Sequence, residues 1–286
     1  MGRIKDIPED IKIQVVKNYL EKRLSLINSG KEFGLSQRAV ESILKEYGVR
    51  KRTYTEAKQL ARKYPCTDNY FKFQNHNMAY ILGLIAADGS VAEKENLISI
   101  QLNADDEALL ENIRVETGCS RPISFYEGKL TGQKMATFRN WSKDWKTDLS
   151  YYGIVPNKTF KLTPPELLSP EFRIDYIRGY FDGDGSIYSV DLQNRVFVEI
   201  SGVSKKMIDW IRNELLNNYH IILNKELKET KSNGTIVYKI KIGSKKEIEK
   251  LYNLFYKNNS LFMKRKKEKF KLLLNIPRDS NSSKEG

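Results

Sequence analysis

The sequence is poor in the residues that build disulfide frameworks and zinc sites. Only two residues are cysteine, Cys66 and Cys119, and no C-x-x-C spacing occurs. Only two are histidine, His76 and His220. These counts argue against a disulfide-stapled or zinc-ribbon protein, and against catalysis that rests on several histidines.

Long hydrophobic runs are also missing. No apolar stretch approaches the about 20 residues needed to span a bilayer. The N-terminal stretch MGRIKDIPEDIKIQ contains no apolar core of the kind found in signal peptides. We therefore expect a cytoplasmic protein with no membrane partner.

Basic residues, in contrast, are in excess. The formal net charge is +13 over 286 residues, with a pI near 9.4, and apolar residues make up an ordinary 40%. This length suits about two globular domains. The charge favours a polyanionic partner such as nucleic acid, although a merely soluble basic protein would show the same excess.

The first part of the chain shows helical patterns. An apolar stripe follows Pro8, and a second follows Ser36, which is a natural N-cap, and stops at Gly48. This outline predicts a helix-turn-helix domain over residues 1–52, with an ordinary helical bundle as the alternative. Its second helix would present four side chains to DNA, namely Gln37, Arg38, Glu41 and Lys45. Residues 53–75, basic and aromatic and broken by Pro65, are predicted as a linker that lies along a duplex backbone, with a solvated helix as the alternative.

The rest of the chain repeats itself. MAYILGLIAADGS (78–90) matches RIDYIRGYFDGDGS (173–186), and a strand pattern of period two follows each copy. An α-β-β-α-β-β-α order is predicted twice, over residues 76–168 and 169–275, with a disordered tail over 276–286. The predicted fold class is therefore α+β: a duplicated αββαββα domain with pseudo-two-fold symmetry, preceded by a small all-α domain.

The repeated stretch is best explained as the end of a helix. A calcium loop that started at Asp182 would need glycine at its sixth position and glutamate at its twelfth, where Ile187 and Gln193 stand. Small residues lie four apart in each copy, at Gly83 and Ala87 and again at Gly179 and Gly183. This spacing allows two helix backbones to pack very closely. Gly89 and Gly185 are predicted to end the two helices in the left-handed conformation.

A carboxylate falls in the last turn of each predicted helix. Asp88 and Asp184 would sit where the helix dipole is negative, which is unfavourable unless a cation compensates. If the helices pack side by side, the two carboxylates converge and either shift their pKa values or bind cations. Hard oxygen ligands of this kind suit Mg²⁺, which completes its shell with waters and substrate phosphates.

ILGLIAADG (81–89) and IRGYFDGDG (177–185) resemble the paired signature of LAGLIDADG homing endonucleases, in the single-chain form with two pseudo-symmetric halves. The resemblance covers residues 75–275, including the strand order after each motif. It implies that Asp88 and Asp184 bind the catalytic divalent metal, Mg²⁺ or Mn²⁺, with help from the carbonyls of Ala87 and Gly183. Ala86 departs from the motif where the second copy keeps Asp182, at a position that is not the usual metal ligand.

The resemblance also implies further site residues. A basic residue near the scissile phosphate corresponds to Lys158 in the first half and to Lys266 in the second, where Lys264, Arg265 and Lys267 leave the register open. For these lysines, solvated surface charge is the alternative. Polar strand residues that position water correspond to Gln101 and Glu199. The sheets would bind the major groove through outward side chains, among them Ser99, Thr137, Arg139, Lys239 and Lys241.

Taken together, these features predict a monomeric, site-specific double-strand DNA endonuclease that hydrolyses one phosphodiester per strand. It would be associated with the nucleoid when bound to DNA. Two alternatives use the same fold without DNA cleavage: a DNA-binding transcriptional regulator and an RNA-binding intron maturase. Retention of both aspartates, with a lysine candidate in each half, favours the enzyme.

Overall fold

The computed structural model describes residues 7–128, 132–190, 195–224, 227–230 and 234–275. The predicted tail over 276–286 lies outside these ranges. The chain divides into two compact units, Met1–Pro65 and Cys66–Gly286. Within the described ranges, no helix combines the length and the apolar character that a membrane crossing requires.

The first unit is helical. It contains α1 (Glu9–Leu20), α2 (Leu26–Lys31), α3 (Gln37–Glu46) and α4 (Tyr54–Leu60). Ser36 caps α3 as predicted, because its side chain accepts a hydrogen bond from the Ala39 N–H. The core forms where the apolar stripes of α1 and α3 meet, at Val15, Tyr19, Val40, Ile43 and Leu44.

The predicted linker over 53–75 is not a linker along its length. Residues 54–60 form α4 in the first unit. Further on, Tyr70 and Phe71 lie in a turn of 3-10 helix and are buried in the core of the second unit. Phe71 packs edge-on against Trp145 at 5.0 Å between ring centroids. The basic composition of this stretch favoured a solvent-exposed linker, so the burial of its two aromatic residues was not predicted.

The second unit has the predicted duplicated αββαββα order. The first half runs α5 (His76–Asp88), β1 (Gly89–Val91), β2 (Leu97–Asn103), α6 (Glu107–Glu116), β3 (Ser124–Glu127), β4 (Lys134–Trp141) and α7 (Lys143–Tyr151). The second half runs α8 (Arg173–Asp184), β5 (Gly185–Val190), β6 (Arg195–Gly202), α9 (Lys205–Asn217), β7 (Leu227–Thr230), β8 (Ile236–Ile242) and α10 (Lys245–Tyr256). A further helix, α11 (Lys264–Leu274), follows.

The two halves share one sheet topology. The strand orders are β1-β2-β4-β3 and β5-β6-β8-β7, and neighbouring strands are antiparallel. The buried faces of both sheets join a single hydrophobic core with α5 and α8, which are apolar and buried along most of their length. The α+β duplicated fold is confirmed.

Polar contacts join the halves along α5 and α8. Near the start of the helices, Asp175 accepts a hydrogen bond from the Arg178 guanidinium at 2.7 Å and lies 2.7 Å from His76 Nδ1 of the other half. Further along, the Tyr80 hydroxyl donates to Asp182 Oδ2 at 2.7 Å. These buried contacts tie the two helices together along their length.

The ends of α5 and α8 differ from the sequence-based expectation. Gly89 has φ −75° and Gly185 has φ −83°, so both are extended and neither adopts the left-handed conformation. The chain passes straight from each helix into a strand. Glycine is needed there for space: a Cβ at Gly89 would lie 2.6 Å from the Ile85 backbone, and one at Gly185 would lie 2.1 Å from the Phe181 ring.

Candidate functional site

Asp88 and Asp184 are the last residues of α5 and α8, and both are exposed. The helix ends approach each other closely at Gly183, where a Cβ would lie 2.3 Å from the Ala87 Cβ and 3.2 Å from Asp88 Oδ2. The Asp88 carboxylate therefore reaches across to the last turn of α8. The small residues that the motif places there make this approach possible.

Lys158 lies at the end of α5. It opens a short turn of 3-10 helix, Lys158–Phe160, after Asn157, whose φ is 56°. Its ammonium donates to the carbonyl oxygen of Ala86 at 2.8 Å and to that of Ala87 at 2.6 Å. The last carbonyls of a helix have no partner within the helix and carry negative partial charge, so a cation is stabilised there.

Lys266 holds the corresponding place at the end of α8. Its ammonium donates to the carbonyl oxygens of Phe181, Gly183 and Gly185 at 2.6, 3.1 and 2.7 Å. The side chain is buried, whereas Lys264 and Arg265 are exposed. Within the basic run 264–267, Lys266 is thus the residue that reaches the helix end.

The charges at the site act on one another. Burial raises the pKa of the Asp88 carboxyl, and the cations of Lys266 and Lys158 oppose that shift. Burial lowers the pKa of Lys266 to about 8, against the attraction of Asp182 and the weaker attraction of Asp88. Burial also lowers the pKa of Lys158, while Asp184 and then Asp88 oppose the shift. Lys158 therefore binds the end of α5 but experiences Asp184 more strongly than Asp88.

Two exposed carboxylates at adjoining helix ends match the hard oxygen ligands that Mg²⁺ and Mn²⁺ take. Each carbonyl predicted as an additional ligand, at Ala87 and Gly183, already accepts a hydrogen bond from a lysine ammonium. One lone pair of each oxygen is thereby used. Among the described residues, no three metal-ligating side chains come together. The donor set fits a cation held by Asp88 and Asp184 whose remaining positions are filled by water or phosphate.

A cavity of about 290 Å³ opens beside Asp184 and Lys158, and Ser201 on β6 lines it. The Ser201 hydroxyl donates to the Asp184 backbone carbonyl at 3.5 Å. Sequence reasoning did not identify Ser201, because a serine within an alternating strand is an ordinary outward residue.

The strand registers revise the pairing of Gln101 with Glu199. Gly89 pairs with Ile100 in the first sheet, and Gly185 pairs with Ile200 in the second. The residue after each of these isoleucines is Gln101 in one half and Ser201 in the other, so Ser201 is the counterpart of Gln101. Glu199 instead corresponds to Ser99. It forms an ion pair with Lys239 at 3.3 Å and accepts the Tyr188 hydroxyl at 3.3 Å.

The predicted DNA-binding strand residues differ in accessibility. Gln101 and Arg139 are exposed, and Ser99 is half-buried. Thr137 lies on the same face as Arg139, but it is only 3% exposed and its hydroxyl has no hydrogen-bond partner, so little of its side chain is accessible. Strands pair with Thr137 on both sides, through Gln101 and Ser124, which places it at the centre of the sheet.

Two lysines of β8 lie on the outer face of the second sheet. Lys241 stacks on the Phe197 ring at 3.8 Å, with Tyr188 also nearby at 5.6 Å. Lys239 forms the ion pair with Glu199. A cation held over an aromatic ring keeps its charge while its stem covers apolar surface. On this face, Lys241 is therefore held over aromatic rings and Lys239 is paired with a carboxylate.

In the first unit, Gln37, Arg38 and Lys45 are exposed on α3, and Glu41 is half-buried. Gln37 donates to Glu41 at 2.9 Å, and Glu41 pairs with Lys51 at 3.4 Å. Arg38 and Lys45 are thus the exposed cations of this predicted set.

Comparison with known proteins gives a family match in the second half. Residues 171–255 match the family described as LAGLIDADG-like domain. An uncharacterised protein of Methanocaldococcus jannaschii is 24% identical over 147 residues, which cover 47% of this chain and 51% of the relative. The chain thus spans about half the length of that relative.

Several solved structures are similar to this one. Full-length DUF199/WhiA from Thermatoga maritima has a TM-score of 0.47 at 16% identity, over 75% of this chain and 67% of that chain. The LAGLIDADG homing endonuclease I-GzeII, solved with its DNA target, has a TM-score of 0.45 at 13% identity, over 69% and 88% of the two chains. The meganuclease I-AabMI, solved with uncleaved DNA, has a TM-score of 0.43 at 14% identity, also over 69% and 88%.

Proposed function

We propose that this protein is a site-specific, metal-dependent double-strand DNA endonuclease of the single-chain LAGLIDADG type. The observation that carries the proposal is the convergence of Asp88 and Asp184 at the ends of two tightly packed helices, each end also bound by a buried or half-buried lysine. Carboxylates, ammonium groups and an adjoining cavity form a set of groups suited to phosphoryl transfer. The net charge of +13 supports a polyanionic substrate.

In this proposal each residue has a distinct task. Asp88 and Asp184 hold a divalent cation, Mg²⁺ or Mn²⁺, which on binding supplies Lewis acidity toward the phosphodiester. Lys158 and Lys266 stabilise negative charge on the phosphoryl oxygens and hold the helix ends in place. Ser201 and Gln101, the register-matched pair, orient water from the strand side. Each half cuts one strand, which gives a double-strand break.

The DNA would lie across the outer faces of the two sheets. Arg139, Lys239 and Lys241 would contact phosphates, and exposed Gln101 would reach base edges in the major groove. We assign Arg38 and Lys45 of α3 to additional DNA contacts, in keeping with the helix-turn-helix prediction for the first unit.

A second candidate function is that of a DNA-binding regulator without nuclease activity. The observation that favours it is that Lys158 and Lys266 already bring positive charge to the end of each motif helix. Two ammonium groups can balance two carboxylates without any metal. The two candidates therefore differ in whether a divalent cation binds at Asp88 and Asp184.

The test is incubation of the protein with Mg²⁺ and a library of randomised duplexes, followed by sequencing of the cut ends. Matched reactions use Asp88→Asn and Asp184→Asn, which keep side-chain size and remove the charge. We expect wild-type cleavage at one site with a fixed overhang, and loss of double-strand cleavage in each variant while duplex affinity is kept.

Selective enrichment of one bound sequence without any cut ends would contradict the endonuclease and support the regulator. A parallel loss of cleavage and duplex affinity in both variants would contradict the metal role of the aspartates. Selection of RNA in preference to duplex DNA, in a companion library, would instead indicate the maturase alternative.

A further inference from the structure

The two copies of the motif differ two residues before the terminal aspartate. The first copy has Ala86 and the second has Asp182, and both positions are buried. The Asp182 side chain accepts hydrogen bonds from the Tyr80 hydroxyl at 2.7 Å, the Tyr256 hydroxyl at 2.8 Å and the Met263 N–H at 2.7 Å. A buried carboxylate is costly unless its lone pairs are satisfied, and here donors from three segments satisfy it.

Of these donors, Met263 connects Asp182 to the helix that carries Lys266. Met263 is the residue before α11 and its side chain is fully buried. Its carbonyl accepts the first hydrogen bonds of α11, from the Lys266 and Lys267 N–H groups, both at 3.1 Å. Its own N–H is held by Asp182. The Asp182 carboxylate therefore fixes the point in space at which α11 starts.

The lysine then returns to the residues around Asp182. Lys266 is the third residue of α11, and its ammonium binds the carbonyls of Phe181 and Gly183, which flank Asp182 in α8, and that of Gly185 at the start of β5. Asp182 binds the start of the helix, and its neighbours bind the side chain that the helix presents. This arrangement forms a closed loop of contacts between α8 and the first turn of α11.

The first half is built differently. Lys158 stands on a short 3-10 turn rather than an α-helix, and the position that matches Asp182 is Ala86, which has no polar side chain. From that turn, the Lys158 ammonium donates hydrogen bonds to the carbonyl oxygens of Ala86 and Ala87. The presence of aspartate in one copy and alanine in the other thus matches a difference in how the two lysines are held.

We propose that Asp182 is a positioning residue for Lys266: by holding the Met263 N–H it sets the start of α11 and directs the Lys266 ammonium to the end of α8. The part that Lys266 plays in strand cleavage rests on the proposed endonuclease function. The positioning itself does not, because it concerns contacts within the folded chain.

The first measurement does not use DNA. Wild-type protein, Asp182→Asn, Asp182→Ala and the control Asp175→Asn are labelled with limiting acetic anhydride, and the modified lysines are quantified by peptide mass spectrometry. The control removes another buried carboxylate from α8, at its opposite end. Loss of a hydrogen bond to a charged group changes an equilibrium constant by about tenfold. We therefore expect the acetylation of Lys266 to rise by about tenfold in Asp182→Ala. Asp182→Asn, which keeps an acceptor for Met263, should give a smaller rise.

The second measurement is cleavage of duplexes labelled on one strand or the other, with circular dichroism to verify that each variant is folded. Asp182→Ala should slow cutting of one strand and leave the other near the wild-type rate, so nicked product accumulates. Asp175→Asn should not make the cleavage rates of the two strands differ.

Unchanged Lys266 labelling in the folded Asp182 variants would overturn the proposal, as would an equal rise at Lys158 and Lys266, which indicates general loosening. Should Asp182→Ala fail to fold, the same criteria apply to Asp182→Asn. A selective rise at Lys266 in a protein that cuts neither strand would support the positioning role and reject the endonuclease.

Discussion

Gly83 and Gly179 face each other's helices in a reciprocal arrangement. A Cβ at Gly83 would lie 2.0 Å from the Tyr176 carbonyl oxygen, and a Cβ at Gly179 would lie 2.0 Å from the Tyr80 carbonyl oxygen. In each case the obstacle is backbone, which cannot move aside as a flexible side chain can. The spacing of α5 and α8, and with it the approach of Asp88 to Gly183, depends on these two glycines.

Gly83→Ala and Gly179→Ala should each destabilise the second unit. Alanine favours an isolated helix by about 1 kcal/mol over glycine. The clash with backbone opposes this, and overpacking costs about 1–3 kcal/mol or more, so we expect a net loss in the free energy of unfolding. Urea denaturation measures it. The control is Asn213→Ala on the exposed face of α9, which should change stability by less than about 0.5 kcal/mol. A stabilised Gly83→Ala protein would show that the helices are farther apart.

As the pH is lowered, the affinity for Mn²⁺ should begin to fall at a higher pH than it would if the ligand were an aspartate with an ordinary pKa. Burial raises the pKa of Asp88 above its usual 3.8, and a protonated carboxyl is a poor ligand. As the pH falls, protons therefore compete with the metal before an exposed aspartate would titrate. Water proton relaxation with Mn²⁺ measures the affinity across acidic pH.

The control for metal binding is Asp209→Asn, which removes an exposed carboxylate that pairs with Lys205 on α9. It should leave the Mn²⁺ affinity and its pH midpoint unchanged, whereas Asp88→Asn should abolish the tight component. A midpoint at or below the ordinary aspartate value would contradict a raised pKa at Asp88 and its part in the metal site.

Much of the helix pair was predictable from the sequence, because two local signals agree there. The spacing of small residues predicts close packing, and the motif places Asp88 and Asp184 in the last turn. Both depend on residues within one helical turn of each other. The end geometry at Gly89 was predicted wrongly because a left-handed cap and a direct passage into a strand both favour glycine.

The lysine contacts could not be predicted in the same way. Lys266 binds Phe181 across 85 positions of sequence, and Lys158 binds Ala86 across 72. Which carbonyl receives an ammonium depends on the path by which the chain returns to the helix, and no local pattern encodes that path. The pairing of Gln101 with Glu199 was wrong for a related reason. Gly185 and its partner Ile200 are 15 positions apart (200 − 185), whereas Gly89 and Ile100 are 11 apart (100 − 89), so equal distances from the two motifs do not mark equivalent strand positions.

Lys266 should make stability depend on pH in the alkaline range. Its pKa is about 8 in the folded protein against an ordinary 10.5, so the unfolded chain holds this proton more tightly. The protonated form therefore costs stability on the order of 3 kcal/mol at neutral pH. This cost is fully present below pH 8 and is relieved as the pH rises from about 8 to 10.5.

Lys266→Met removes this titration. Relative to the variant, wild-type protein should gain stability as the pH is raised from neutral to 10.5, and urea denaturation of both proteins at intervals in that range measures the gain. Lys264→Met, at an exposed neighbour in the same helix, should run parallel to wild type. If the free energy of unfolding of Lys266→Met also changed with pH in parallel with that of wild type, the Lys266 ammonium would not be desolvated in the folded protein.

Arg38 should contribute to DNA binding through phosphate contacts. It is exposed on α3, where the predicted recognition surface lies. Removal of one phosphate contact lowers the slope of log affinity against log salt by about 1. We therefore expect Arg38→Ala to weaken binding to any duplex and to flatten its salt dependence, as measured by fluorescence anisotropy across a salt series. The matched control is Lys17→Ala, at an exposed cation on a different helix, α1. If the two variants lose affinity equally, the first unit binds DNA through its general charge, and α3 is not a recognition helix.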